Sequence, residues 1–394
     1  MTQTLSTLRL TAVALFCLAV GAWFTPAVAQ TAAGISVQPY LQNPTTDAVS
    51  ILWNTTLPAY GWVEYGLSEA LGLKQDWVID GLRNANTTAH RVRLIGLEAG
   101  KPYYYRVGYT PVESFGGYKV VFGEPCYTPI RQFKLPPADQ AQVTCCFLND
   151  IHNNYPLYAR LSAQVRTIAP DAVFFNGDCF ANPPRQDSVL KALSIYNDGC
   201  DAASRPAFFL RGNHETRDAY ARQLKQHFEY PEGEYYFAWS LGPVRFIMLD
   251  CGEDKDDSDA AYSGMTDFTG YREAQARWLR EELKSAAFQQ ATYHILVHHI
   301  PLYTTNTNRP TLARPLWEPV LKDAPIDLAI SGHTHKNNLV DTNAMGNPYP
   351  LLIGGGPSIE SATLIVLQAD AQSCRVSMRD VDGKELKAIT IPKR

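Results

Sequence analysis

The chain has 394 residues, of which 45% are hydrophobic and 19% are charged, an ordinary balance for a globular protein of two or three domains. Its formal net charge of −4 gives no bulk attraction to nucleic acid, so nucleic-acid binding is not expected. A local positive site remains compatible with this charge, because bound metal ions do not appear in a sequence.

The first 29 residues have the pattern of a secretory signal peptide. Arg9 precedes an apolar run from Leu10 to Phe24, and Ala27-Val28-Ala29 fits a small-residue cleavage site. The apolar run is shorter than the roughly 20 residues that a membrane-spanning helix needs. We therefore expect an exported chain, periplasmic or secreted, without stable membrane insertion. An uncleaved membrane anchor is the alternative.

Residues 34–134 are predicted to form an all-β domain. Strand-like runs at 48–53, 61–65 and 103–107 are separated by turn residues, a spacing that favours a β-sandwich. The stretch from Val37 to Trp53 and the pattern from Leu94 to Val107 resemble the fibronectin type III-like amino-terminal domain of purple acid phosphatases. The polar, proline-containing residues 135–141 are predicted to be a linker.

Residues 142–394 are predicted to be an α/β domain, because strand-like and helix-like segments alternate along them. Five strand-like runs each stop at a cluster of polar side chains. The clusters are Asp150-Ile151-His152, Gly177-Asp178, Gly212-Asn213-His214-Glu215, His298-His299-Ile300-Pro301 and Gly332-His333-Thr334-His335. Ligands bind beyond the strand ends of α/β sheets, so we expect the five ends to converge. Imidazole, carboxylate and amide groups suit first-row metal ions.

In this order the motifs D-x-H, G-D, G-N-H-E, H-x-P and G-H-x-H resemble those of the calcineurin-like metallophosphoesterase superfamily, over roughly residues 142–340. The resemblance implies a four-layer α/β/β/α metallophosphoesterase domain after the β-sandwich. It also implies two divalent metal ions, which are manganese, zinc or iron. The implied ligands are Asp150, His152 and His335 for the first ion, Asn213, His299 and His333 for the second, and Asp178 as the bridge.

The resemblance also implies a mechanism. A metal-bound hydroxide attacks the phosphate ester, while His214 faces the substrate and protonates or stabilises the leaving oxygen. We expect Glu215 to orient His214. Two positions depart from purple acid phosphatases: Ala181 replaces the tyrosine that gives them their colour, and His152 occupies a position where they lack histidine. These departures argue against ferric iron.

The predicted function is the hydrolysis of small-molecule phosphate monoesters. Arg211, Arg217 and His298 lie near the motifs and are candidate donors to a phosphate dianion, although ordinary surface or core roles are equally compatible with the sequence. A phosphodiesterase or nucleotidase is the alternative, because diesterases share the D-x-H motif. A non-catalytic binding protein is more distant, since no ligand is missing. The acidic stretch from Glu253 to Asp259 is expected to be a solvated loop. The oligomeric state stays open.

Overall fold

The computed structural model describes residues 34–137, 139–304 and 311–393. The predicted signal peptide lies outside these residues. Within the described ranges, no helix combines the length and the apolar character that crossing a membrane requires.

The first ten strands form an all-β region. They are β1 (Ile35–Gln42), β2 (Val49–Gly66), β3 (Leu73–Asp76), β4 (Val78–Ile79), β5 (Leu82–Arg83), β6 (Thr87–Leu94), β7 (Pro102–Phe115), β8 (Val120–Phe122), β9 (Cys126–Tyr127) and β10 (Arg131–Lys134). The first half of β2 pairs with β1 and β6, and its second half pairs with β3 and β7. Strands β8, β9 and β10 pair with β7, and β4 forms a separate hairpin with β5.

Strand β2 differs from the sequence prediction of two short strands. It is one strand of 18 residues. Its pairing with β6 jumps from Asn54–Ala89 to Ala59–Thr87, and Pro58 lies exposed in the intervening bulge. A bulge leaves backbone groups unpaired, so a proline, which has no N–H to donate, is tolerated there without a turn.

The remaining strands are β11 (Val143–Leu148), β12 (Ala172–Asn176), β13 (Ala207–Leu210), β14 (Phe237–Leu241), β15 (Val244–Leu249), β16 (Tyr293–His298), β17 (Leu328–Ser331), β18 (Asn338–Val340), β19 (Leu351–Ile353), β20 (Leu364–Ala369), β21 (Ser373–Arg379) and β22 (Glu385–Pro392). They form two six-stranded sheets, with the orders β13-β12-β11-β20-β21-β22 and β14-β15-β16-β17-β19-β18. Both sheets are mixed. Strands β11 to β13 are parallel in the first sheet, and β15, β16, β17 and β19 are parallel in the second. The remaining strands of each sheet pair antiparallel.

In the described part of the chain, five α-helices accompany the sheets: α1 (Tyr155–Ile168), α2 (Gln186–Cys200), α3 (Phe268–Glu282), α4 (Ala286–Gln290) and α5 (Arg314–Leu321). Side chains of α1 and α2 pack on the first sheet, where Tyr158 and Tyr196 have ring centroids 6.0 and 5.5 Å from Phe175. Leu279 of α3 and Trp317 of α5 share a buried cluster with residues of the second sheet.

An aromatic core lies between the two sheets. Phe174 and Phe208 of the first sheet contact Phe246 and Trp239 of the second, with ring centroids 5.2 and 4.8 Å apart, respectively. Aromatic side chains bury roughly 150–250 Å² each, so this layer contributes much of the hydrophobic stabilisation. The same core cluster continues to Val37, Tyr40 and Leu52 of the all-β region.

Candidate metal centre

The eight residues predicted to form the site meet at the carboxyl ends of five parallel strands. Asp150 and His152 follow β11, Asp178 follows β12, Asn213 and His214 follow β13, His299 follows β16, and His333 and His335 follow β17. Neighbouring parallel strands end at the same edge of their sheet, and the edges of the two sheets meet here. The fold therefore brings together side chains that are up to 185 positions apart, from 150 to 335.

One group of ligand atoms contains Asp150, His152 and His335, all within 4.8 Å of one another. Oδ1 of Asp150 lies 3.2 Å from Nε2 of His335 and 3.7 Å from Nε2 of His152. Nε2 atoms of the two histidines are 3.2 Å apart. Three lone-pair-bearing atoms so close together form a typical metal-binding arrangement.

A second group contains Asp178, His299 and His333, again within 4.8 Å of one another. Oδ2 of Asp178 lies 3.1 Å from Nε2 of His299. Oδ1 of Asn213 lies 2.9 Å from Nδ1 of His333, so the amide joins this group. Oδ2 of Asp178 is also 3.8 Å from Nε2 of His152, so this carboxylate lies between the two groups.

The residues present fit metal ions. In the described part of the chain, the buried Oδ1 of Asp150 and Nε2 of His299 make no hydrogen bond of good geometry, although Nε2 of His335 and Oδ2 of Asp178 lie 3.2 and 3.1 Å from them, respectively. Nδ1 of His299 lies 2.9 Å from the carbonyl oxygen of Asn176, which can only accept, so the ring donates from Nδ1. This leaves the lone pair of Nε2 directed at the cluster, as in metal-binding histidines, whose other ring nitrogen usually donates to a nearby oxygen.

Buried charge dominates the pKa values in the cluster. Burial lowers the pKa of His333 to about 4, and His299 adds to this effect. Burial also acts to lower the pKa of His299, but Asp178 and Asp150 outweigh it and raise the pKa to about 10. Burial opposes ionisation of Asp150, yet its histidine neighbours hold its pKa below the ordinary range. Two carboxylates buried this deeply require a positive charge, which a proton or a metal ion can supply.

The backbone around the ligands adopts rare conformations. The φ angles of Asp150, His152, Asp178, His333 and His335 are 51°, 48°, 51°, 69° and 57°. Residues other than glycine seldom adopt positive φ angles, and the backbone strain that these angles cause concentrates at functional sites. The left-handed residues turn the chain sharply after β11, β12 and β17, next to the ligands that these strands carry.

Two motif glycines are required by close approach. A Cβ atom at Gly212 would lie 2.3 Å from Oδ1 of Asp178, and one at Gly332 would lie 2.5 Å from Oδ2 of Asp150. Both distances are too short for any side chain. The first glycines of G-N-H-E and G-H-x-H therefore make room for the two carboxylates of the centre.

The carboxylates are oriented by hydrogen bonds on the oxygen that faces away from the metal cluster. Oδ2 of Asp150 accepts from Nδ2 of Asn149 at 2.6 Å and from the backbone N–H of His333 at 2.8 Å. Oδ1 of Asp178 accepts from the backbone N–H of His214 at 2.8 Å. Sequence reasoning missed Asn149, although its position immediately before the first motif was a signal.

Glu215 has a different role from the predicted one. Its buried carboxylate does not bond to His214 and instead accepts backbone N–H groups of Asp178, Phe180 and Gly212, at 2.9, 2.9 and 2.8 Å. Burial and the nearby Asp178 raise its pKa to about 7. The carboxylate thus joins the loops that carry Asp178 and Asn213.

His214 stands at the opening of the centre. Its ring packs edge-on against His152, with centroids 4.6 Å apart, and its Nε2 is 3.9 Å from Oδ2 of Asp178. Nη1 of Arg217 lies 3.4 Å from this Nε2. The other nitrogens of Arg217 donate to both carboxylate oxygens of Glu253, at 2.7 and 2.8 Å, and to Asp254 at 3.2 Å.

Three sequence interpretations change. Arg211 is not available to a phosphate, because its partly buried guanidinium is paired with Asp250 at 2.7 Å. His298 is fully buried, and its Nδ1 lies 2.8 Å from the carbonyl oxygen of Ile300, so it is a packed residue. The start of the acidic stretch is not a solvated loop, since Glu253 is 1% exposed and holds Arg217.

Four imidazoles, two carboxylates and an amide at the ends of the strands are typical of a hydrolytic metal site, because structural zinc sites are closed and usually rich in cysteine. Residues 144–337 match the family model of calcineurin-like phosphoesterases. These residues therefore form a calcineurin-like metallophosphoesterase domain. The resemblance predicted from the five motifs is confirmed.

Relatives and solved structures agree with the family. Purple acid phosphatase 22 of Arabidopsis thaliana is 24% identical over 302 residues, which cover 70% of this chain and 60% of that protein. Serine/threonine-protein phosphatase CPPED1 of Mus musculus is 26% identical over 140 residues, which cover 34% of this chain and 42% of that protein. The chain thus spans less than two thirds of the length of these relatives.

Two solved structures share the fold. Purple acid phosphatase PPD1 from yellow lupin (Lupinus luteus) seeds has a TM-score of 0.67 at 15% identity, covering 90% of this chain and 74% of that chain. PhoD has a TM-score of 0.66 at 12% identity, covering 92% and 91%. The likeness extends over both the all-β region and the domain that carries the metal centre.

Proposed function

We propose that the chain is an exported hydrolase of phosphate monoesters that uses two divalent metal ions. The observation that carries the proposal is the arrangement of seven ligand residues in two groups, with Asp178 between them. In the proposed assignment, Asp150, His152 and His335 hold one ion. Asn213, His299 and His333 hold the other, and Asp178 bridges the two. Manganese, zinc and ferrous iron suit this donor set.

Metal ions held here would polarise the phosphoryl oxygens and supply a nucleophile at neutral pH, the general chemistry of such centres. The protein's own contribution is to fix the ligands and to place donors around the phosphoryl group. His214 is 28% exposed at the opening, where it can meet the leaving oxygen and protonate or stabilise it. Glu215 acts through the loops, as a positioning residue.

Arg217 favours a monoester over a diester. Its Nε and Nη2 are occupied by Glu253 and Asp254, while Nη1 is directed toward His214 at the opening of the centre. Lys255 lines the same opening and pairs with Asp254 at 2.8 Å. A monoester dianion carries one more negative charge than a diester, so it gains more from these cations. A phosphodiesterase or nucleotidase is the alternative, favoured by the large cavity beside the centre.

The proposal also includes the layered arrangement, the domain boundaries and the export of the chain. Contacts of α1 and α2 with the first sheet, of the sheets with each other, and of α3 and α5 with the second support an α/β/β/α arrangement. The shared core of both halves of β2 and β7 supports a β-sandwich over residues 34–134, with 135–141 as the linker and 142–394 as the second domain. Export rests on the amino-terminal sequence pattern alone.

The test compares p-nitrophenyl phosphate with bis-p-nitrophenyl phosphate by kcat/KM, at neutral pH, with each metal ion in turn. We expect the monoester to be preferred. Arg217→Gln should lower kcat/KM for the monoester by roughly tenfold or more, the value of one charge-assisted hydrogen bond, and affect the diester less. The exposed Arg222, changed to Gln, is the matched control. A clear preference for the diester would overturn the substrate class, and inactivity toward both would overturn the proposed activity.

A further inference from the structure

A cavity of about 610 Å³ lies directly beside the metal centre. Asp254, His333 and Thr334 line both this cavity and the opening of the centre, so the two spaces are contiguous. Cavities of roughly 300–1,000 Å³ are typical of sites that enclose a small organic molecule. A phosphoryl group at the centre would therefore have room for its ester substituent on this side.

The floor of the cavity is apolar and well packed. Cys251, Ile300, Tyr303, Ala313 and Ile353 line it, and all five are buried members of one hydrophobic cluster. Met345 lines the cavity as well and is only partly buried. Because packed side chains hold the floor in place, the apolar surface is preformed and does not need a ligand to organise it.

The buried charged groups of the wall are engaged by the protein. Glu253 is paired with Arg217, and Asp254 with Arg217 and Lys255. The guanidinium of Arg272 donates to the backbone carbonyl oxygens of Cys251 and Glu253, at 2.8 and 2.6 Å. Lys336 lines the exposed rim of the cavity. Against the buried part of the wall, an additional ligand charge would have to displace one of these pairs, whereas a neutral group would not.

We infer that this cavity binds the organic substituent of the substrate, and that this substituent is neutral and largely apolar, of the size of an aromatic ring system. The inference rests on the proposed function for the position of the phosphoryl group. It predicts discrimination by the substituent, since burying apolar surface in a preformed pocket is favourable in proportion to the area removed from water.

Binding of non-hydrolysable phosphonates separates this inference from catalysis. Isothermal titration of the manganese-loaded protein compares ethylphosphonate with 2-phenylethylphosphonate. These probes share the same head group and differ by one phenyl ring. We expect the phenyl compound to bind about tenfold more tightly or better, the scale on which apolar pockets discriminate.

Met345→Trp should fill the mouth of the cavity and abolish this discrimination while ethylphosphonate still binds. Met265→Trp is the matched control, because Met265 is 70% exposed and does not line the cavity. Equal affinity of the wild-type protein for both phosphonates, or binding of neither, would overturn the inference even if phosphate esters are hydrolysed. Discrimination that disappears only in Met345→Trp would support it, even if no ester is hydrolysed and the proposed function fails.

Discussion

Glu215 gives a sharp test of how the metal centre is built. Its carboxylate accepts three buried backbone N–H groups, from Asp178, Phe180 and Gly212. Glu215→Ala leaves all three donors without an acceptor, at a cost of ~1–3 kcal/mol each. The expected loss is therefore about 3–9 kcal/mol, against a typical total stability of ~5–15 kcal/mol. The alanine variant should be close to unfolding.

Glu215→Gln should cost less, because the amide keeps one acceptor oxygen. Oε2 accepts from Asp178 and Gly212, and Oε1 accepts from Phe180. With the amide oxygen in the Oε2 position, only the N–H of Phe180 loses its acceptor, which costs ~1–3 kcal/mol. Because the lost bond joins loops that carry ligands, metal affinity should fall in parallel with stability.

The assay is urea unfolding at pH 8, combined with the metal content of the dialysed protein. Glu282→Gln is the matched control, because Glu282 is also a buried carboxylate but pairs with Arg245, at 2.8 and 2.9 Å, outside the centre. The control should lose stability and retain its metal ions. A Glu215→Ala variant with the wild-type unfolding midpoint, or with undiminished metal affinity, would refute the reasoning.

Three further predictions concern the catalytic group, the metal and pH. His214→Ala should keep both metal ions yet lose on the order of 10²–10⁴ in kcat, less for good leaving groups, as measured with a series of aryl esters. With Ala181 in place of a phenolate, the metal-loaded protein should show no visible charge-transfer band. Burial lowers the pKa of His227 to about 4 from 6.5, so only the unfolded chain takes up a proton between these values. Lowering the pH from 7 to 5 should thus cost about 2 kcal/mol of unfolding free energy through His227 alone, and His227→Gln should reduce the loss measured by urea unfolding by that amount.

The candidate site could be predicted from sequence because its residues lie at strand ends. Each motif follows an apolar run, and the sequence itself carries the small residues, Gly212 and Gly332, that the carboxylates need beside them. Strand boundaries were also close, since β13 ends at Leu210, two residues before the cluster that begins at Gly212 and at which a strand was predicted to stop. Local periodicity and the order of motifs were sufficient for these features.

The wrong predictions for Arg211, the acidic stretch and Glu215 have one cause: their partners are distant in the sequence. Arg211 pairs with Asp250, and Glu253 pairs with Arg217, across separations of 39 and 36 positions. Neither pair follows from a local pattern, so an arginine beside a motif and an acidic run both seem solvent-exposed when each is considered alone. The three acceptor bonds of Glu215 are equally invisible in sequence, because backbone N–H groups carry no residue identity.

The contacts of the all-β region link it to the metal centre. The chain after His214 runs through short 3₁₀ turns at His214–Thr216, Leu224–His227 and Pro231–Gly233, which are less well hydrogen-bonded than α-helices. Such a segment depends on external contacts. Strands β1 and β2 supply them, since Tyr40 donates to the carbonyl oxygen of His227 at 2.6 Å and the backbone N–H of Glu229 donates to Gln42 at 2.6 Å. The all-β region thus supports the segment that follows Asn213 and His214 in the chain.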